Sequence, residues 1–77
     1  MDNINYMKLS DLKVGECGII KGFTDIEMSL KLMDMGCLPG EKIKVLKSSK
    51  FNGPMSIFVF GYELGIRKEE AEKIILY

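Results

Sequence analysis

The chain has 77 residues, enough for one domain with a small core. Lys+Arg and Asp+Glu balance at 11 each, so the excess positive charge with which a general nucleic-acid binder displaces counterions is missing. The absence of histidine removes the commonest metal ligand and the commonest general base.

Residues 1–7 read as a polar lead without a period, loose or laid on the surface. Leu9, Leu12 and Val14 then suggest one helical turn or a turn-rich stretch, with Ser10 or Asp11 as the local cap. Val14-Gly15-Glu16 reads as a turn feeding a strand, Cys17 to Phe23, whose glycines suggest bends or close backbone approach at a barrel corner. Thr24 or Asp25 is a suitable N-cap for a helix from about Ile26 to Met35, with Glu27 in the first turn favoured by the macrodipole.

That helix carries two apolar stripes. At 3.6 residues per turn, Ile26, Leu30 and Met33 share one face, and Met28, Leu32 and Met35 share a second, roughly opposite one. Glu27, Lys31 and Asp34 form a polar strip between them. A helix packed on a small barrel needs one stripe, so the other calls for a further partner: loops, another subunit or another protein. Period alone leaves open which stripe faces in.

Gly36 stands where the residue after a helix takes positive φ, and Pro39 keeps the helix from resuming. Pro39-Gly40 reads as the centre of a type II turn. Beyond it, Ile43 and Val45 alternate with Lys42 and Lys44, the period of a half-buried strand. Lys47 to Asn52 reads as a loop, and Gly53-Pro54 as a turn. Met55 to Phe60 is the strongest β run, broken by Gly61, and Tyr62, Leu64 and Ile66 alternate as its hairpin partner. Lys68 to Lys73 is a polar helical turn, its acidic cluster Glu69, Glu70 and Glu72 expected on solvated surface, and Ile74 to Tyr77 closes the chain as a strand.

The fold class is mainly β: about five strands in a small SH3-like barrel, with one inserted α-helix and a short helical turn before the last strand. An OB-fold is the alternative, although its helix usually falls between the third and fourth strands. Residues 1–77 form a single domain. No apolar run is long enough to span a bilayer, and no secretory signal is visible, so a reduced, cytoplasmic protein is expected.

Cys17 and Cys37 are the weak metal candidates; two thiolates leave a zinc site incomplete within one chain, and intermolecular sharing could complete it. The methionines at helical spacing read as packing or contact residues. Lys42, Lys44, Lys47 and Lys50, with Phe51 nearby, form a basic patch that a small nucleic-acid-binding barrel would use. No serine–histidine pair, phosphate-binding glycine loop or desolvated carboxylate pair is present in the pattern, so no enzyme is expected and no cofactor is implied.

Three runs together, LSDLKVGECGIIKGF, LMDMGCLPGEKIKVL and GPMSIFVFGYELGIRKEEAEKIIL, resemble the FeoA family of accessory proteins of bacterial ferrous iron transport. Leu32, Gly36, Pro39 and Gly40 match its most characteristic run, and Gly61, Leu64, Ala71 and Ile74 its tail. Lys31 stands where the family often has arginine. The resemblance implies an SH3-like barrel without enzymatic activity that acts on the cytoplasmic part of FeoB, the membrane iron transporter. It also implies that Leu32 and Met35 face inward and that Ile26, Leu30 and Met33 lie outside. Ile26, Leu30, Lys31 and Met33 are thereby the candidate partner-binding residues. The expectation is a transporter-binding module, with no direct membrane insertion and no nucleic acid. The alternatives are a nucleic-acid-binding barrel or a homo-oligomer linked by metal through its cysteines.

Overall fold

The computed structural model describes residues 7–49 and 53–77. Its strands are β1 (Met7–Lys8), β2 (Cys17–Phe23), β3 (Lys42–Ser48), β4 (Met55–Val59), β5 (Tyr62–Ile66) and β6 (Ile74–Leu76). A 3₁₀ turn covers Leu9–Asp11, and two helices, α1 (Ile26–Asp34) and α2 (Lys68–Ala71), complete the elements. The strand order is β1-β6-β2-β3-β4-β5, with every pairing antiparallel.

Alternation decides the inside of this sheet. Ile43 and Val45 on β3, Met55, Ile57 and Val59 on β4, and Ile74 and Leu76 on β6 are buried, while the residues between them are partly or wholly exposed. β2 forms the corner. Its first half, Cys17 to Ile19, pairs with β3, and its second half, Ile20 to Phe23, pairs with β6, with the register shifting between Ile20 and Gly22. Such a bulge bends a strand and lets one strand serve two sheets. Gly18 allows the close approach there, since a Cβ at that position would lie 2.7 Å from Leu76 Cδ1.

Both ends of α1 are built locally. The Asp25 carboxylate accepts the Glu27 N–H at 3.0 Å, satisfying one donor of the first turn. At the other end, Gly36 takes φ +100°, its N–H donates to Met33 O, and the Cys37 N–H donates to Leu32 O. This 6→1, 5→2 pair is the Schellman arrangement. The Pro39-Gly40 turn follows, with Gly40 at φ +92° and the Glu41 N–H on Leu38 O at 3.0 Å. Two further bonds, from Gly40 N–H to Ile20 O and from Ile20 N–H to Glu41 O, stitch the turn onto β2. The helix exit is therefore fastened at the barrel corner.

Several elements differ from the sequence reading. Among the described residues there are six strands: β1, two residues long, pairs Met7 with Leu76 and Lys8 with Ile75 and is too short to show a period. Residues 1–6 lie outside the described residues. The 3₁₀ turn agrees with the sequence reading: Asp11, one of the two cap residues expected, accepts the Lys8 N–H on its carboxylate at 3.0 Å. β3 runs on through Lys47 and Ser48, which pair with Ser56 and Met55, because a register shift after Val45 prolongs the ladder past the loss of alternation. Phe60 ends up in the β4–β5 turn with Gly61 rather than in the strand.

Candidate functional site

The site begins with the difference between the two faces of α1. Leu32 is fully enclosed, and Met28 and Met35 pack against the same core. Burial of a leucine side chain is worth about 1.5–3 kcal/mol, so the enclosed stripe contributes to holding the helix on the barrel. The opposite stripe is left to solvent: Ile26 is 79% exposed and Leu30 61%, with Met33 half-buried beside them. Met33 lines a shallow depression with Phe23, Ile26 and Pro39, so the uncovered apolar surface continues from the helix toward its exit turn.

Lys31 stands apart from its neighbours in that group. Its ammonium lies 2.7 Å from Glu70 Oε2. The other oxygen, Oε1, accepts the Arg67 N–H at 2.9 Å, at the start of α2. Glu70 is 4% exposed, which corrects its expected place on the solvated surface of the acidic turn. Three residues into a short helix, its carboxylate reaches back to the N-terminal donor and is turned under α1. Burial by itself would raise its pKa, but the hydrogen bond from Lys31, the bond from the Arg67 N–H and the charges of both cations bring it below the usual carboxylate range. Lys31 thus ties α1 to α2, while the exposed stripe is left to Ile26, Leu30 and Met33.

The cysteines have separate environments. Cys37 is enclosed in the core just past the helix, where burial first and the charge of Glu70 second push its thiol up to about 11. Cys17 is exposed at the start of β2, and both are free. Among the described residues, no group of three or more cysteine and carboxylate side chains is placed to hold a metal.

On the outer sheet face, the pairings bring Cys17, Lys44, Phe58 and Glu63 into one row across β2 to β5. Phe58 and Phe60 are exposed there. Neither was a candidate from the sequence, although Phe58 lies between the inward Ile57 and Val59, a position that alternation sends outward. Lys50 and Phe51, two of the five residues of the suggested nucleic-acid patch, lie outside the described residues. The hairpin is anchored back to the helix: Tyr62 Oη donates to Met35 O, and the ring of Phe60 lies close to Gly36.

A FeoA domain family model matches residues 7–77. The chain belongs to the FeoA family. A crystal structure of the iron uptake regulatory protein FeoA is 32% identical with a TM-score of 0.82, over 94% of this chain and 96% of that one. The solution structure of a FeoA-like protein from Clostridium acetobutylicum superposes with a TM-score of 0.85 at 24% identity, over 96% and 87% of the two chains. Stenotrophomonas maltophilia FeoA, crystallised with zinc and described as a prokaryotic SH3 domain protein, superposes with a TM-score of 0.78 at 20% identity, over 92% and 89%. No curated protein matches the chain. The SH3-like fold and the association with ferrous iron transport follow from this membership. Among the described residues, no helix is long and apolar enough to cross a membrane.

Proposed function

We propose that this FeoA-family chain is a non-enzymatic, cytoplasmic accessory of ferrous iron uptake that binds the cytoplasmic part of a FeoB-type transporter through the outer face of α1. The observation that carries the reading is the uncovered stripe of Ile26, Leu30 and Met33 on a helix whose other side is enclosed by the core. A single exposed leucine is ordinary, whereas three apolar residues in register on a helix fastened at both ends form a rigid apolar ridge. The family supplies the transport context.

In this reading Lys31 has a supporting role. Its ion pair with Glu70 holds the polar edge of α1, and with it the angle at which the stripe is presented.

The test is capture of purified, detergent-solubilised transporter by the immobilised chain. Leu30→Glu and Met33→Glu should each abolish capture while leaving the circular dichroism spectrum unchanged. Capture that survives both changes would move the contact away from this face.

A further inference from the structure

A second surface, next to the helix exit, combines features that the ridge lacks. Cys17, Glu41, Lys42, Lys44, Phe58 and Phe60 line a shallow groove on the outside of β3 and β4. Phe58 is 46% exposed and Phe60 57%. Neither Lys42 nor Lys44 has an ion-pair partner among the described residues. The groove therefore presents two rings and two lysines without an ion-pair contact side by side, with Glu41 as its one lining carboxylate among the described residues.

Phe60 occupies an unfavourable backbone position. It has φ +53° and is followed by Gly61 at φ +87°, the two left-handed positions of a two-residue hairpin loop between Val59 and Tyr62. Asn-Gly or Gly-Gly suits that loop, and a side chain like phenylalanine is disfavoured there because its Cβ crowds the following carbonyl. Its Cβ and Cδ2 lie 3.4 and 3.6 Å from where a Cβ on Gly36 would be, so the ring is seated against the helix exit. The phenylalanine is held in one place, at a conformational cost, with more than half of its surface in solvent.

We propose that this groove takes an extended segment of the transport partner carrying two carboxylates two residues apart and an apolar side chain on the same face. The proposal rests on the partner-binding reading above and adds the chemistry of what is recognised. Lys42 and Lys44 alternate with the buried Ile43 and Val45, so both project outward from one strand. Their Cα atoms are about 6.7 Å apart by the strand rise, which is also the spacing of alternate side chains in an extended peptide. The phenylalanine rings beside them offer an apolar seat.

Two other occupants fit less well. A nucleic-acid strand carries a phosphate at every residue and could not keep all of them off Glu41 in the same groove and Glu63 across from Phe58, whereas a segment with two carboxylates needs only the two lysines. A second copy offers the alternate acidic pairs Asp25/Glu27 and Glu70/Glu72, but these lie at or within helical turns. Glu70 is moreover buried.

The experiment measures the affinity of the purified transporter for wild-type chain, K42E/K44E, K42Q/K44Q, K42R/K44R and Phe58→Ser as sodium chloride is raised, with melting temperature recorded for each. Both charge-removing pairs should bind at least about tenfold more weakly and lose most of the salt dependence, because paired charges across an interface are screened. The arginine pair should bind like wild type, and Phe58→Ser should weaken binding without abolishing its salt dependence. The glutamine pair keeps the test decisive if charge reversal unfolds the chain. Wild-type affinity in both charge-removing pairs would overturn the groove assignment and leave the helix-face reading standing. No binding by wild type would overturn both. Salt-steep binding of an oligouridylate that these substitutions remove, with transporter affinity unchanged, would reassign the groove to nucleic acid and overturn the proposal.

Discussion

The two stripes of α1 have nearly the same chemistry and opposite fates. Ile26, Leu30 and Met33 differ little in composition from Met28, Leu32 and Met35. Leu32 is completely enclosed, while Leu30, two residues earlier, is mostly in solvent. Hydrophobicity alone does not separate them. What does is the helix exit: the Schellman bonds at Gly36 and the stitching of Gly40 and Glu41 to Ile20 fix the rotation of the helix about its axis. The inner stripe serves stability, and the outer stripe is free to serve binding.

The sharpest way to break this contrast is to truncate one leucine on each face. Leu32→Ala should destabilise the fold by about 2–5 kcal/mol, the range for a buried leucine that leaves a cavity, measured by urea denaturation. Leu30→Ala should shift stability by less than about 0.5 kcal/mol, as for exposed positions. Equal losses at the two sites would mean that the stripes are not inside and outside.

A second prediction strikes the element that sets the rotation. Gly36→Ala forces a Cβ into a position with φ +100°, 3.0 Å from Tyr62 Oη and 3.4 Å from Phe60 Cβ. A loss of about 1–3 kcal/mol is expected from the left-handed backbone, together with loss of the Tyr62-to-Met35 hydrogen bond, visible as a change in tyrosine fluorescence. Retention of full stability would show that the exit does not hold the helix in place.

A third concerns the tie between α1 and α2. Glu70→Gln should cost about 1.5–3 kcal/mol at neutral pH, the range for a hydrogen bond to a charged group, with the lower end expected because Lys31 is 55% exposed. The sign with pH follows from the lowered carboxylate pKa. The unfolded chain holds the Glu70 proton more tightly, so the stabilisation is complete above the unfolded carboxylate pKa and fades as pH falls through the folded value. Wild type should therefore lose stability on acidification in a way that Glu70→Gln does not, as followed by melting temperature from neutral pH downward.

The smallest effect lies in the thiols. Cys37, pushed up to about 11, stays protonated and enclosed at neutral pH and should react with iodoacetamide only on unfolding, whereas the exposed Cys17 should react in the native protein. Mass spectrometry of the labelled chain distinguishes them. Because the Cys37 pKa is raised from 9.0, its contribution to stability is complete below about 9.0 and is lost as pH rises toward 11.

Much of this architecture is legible in the sequence because it is encoded over short distances. A cap at Thr24 or Asp25, Gly36 at the helix exit, Pro39-Gly40 as a turn and the alternation around Ile43 and Val45 each depend on neighbours within a few positions; each appears where those neighbours place it, with Asp25 taking the cap. Even the presence of two helical stripes needs only the 3.6-residue period. β1 escapes detection because two residues carry no period, and its pairing with β6 comes from the far end of the chain.

Tertiary structure decided the rest, where local signals were degenerate or misleading. Nothing in a run of glutamates marks Glu70 as the one turned beneath α1, since its partner Lys31 is distant in sequence. Phe60 reads as strand because phenylalanine favours strands, and only the antiparallel return of β5 places it in a left-handed turn against Gly36. The pattern of residues determined that the helix has two apolar sides. The packing of the barrel beneath it decided which side remains outside, because burying either stripe is equally favourable until the exit turn is fastened to β2.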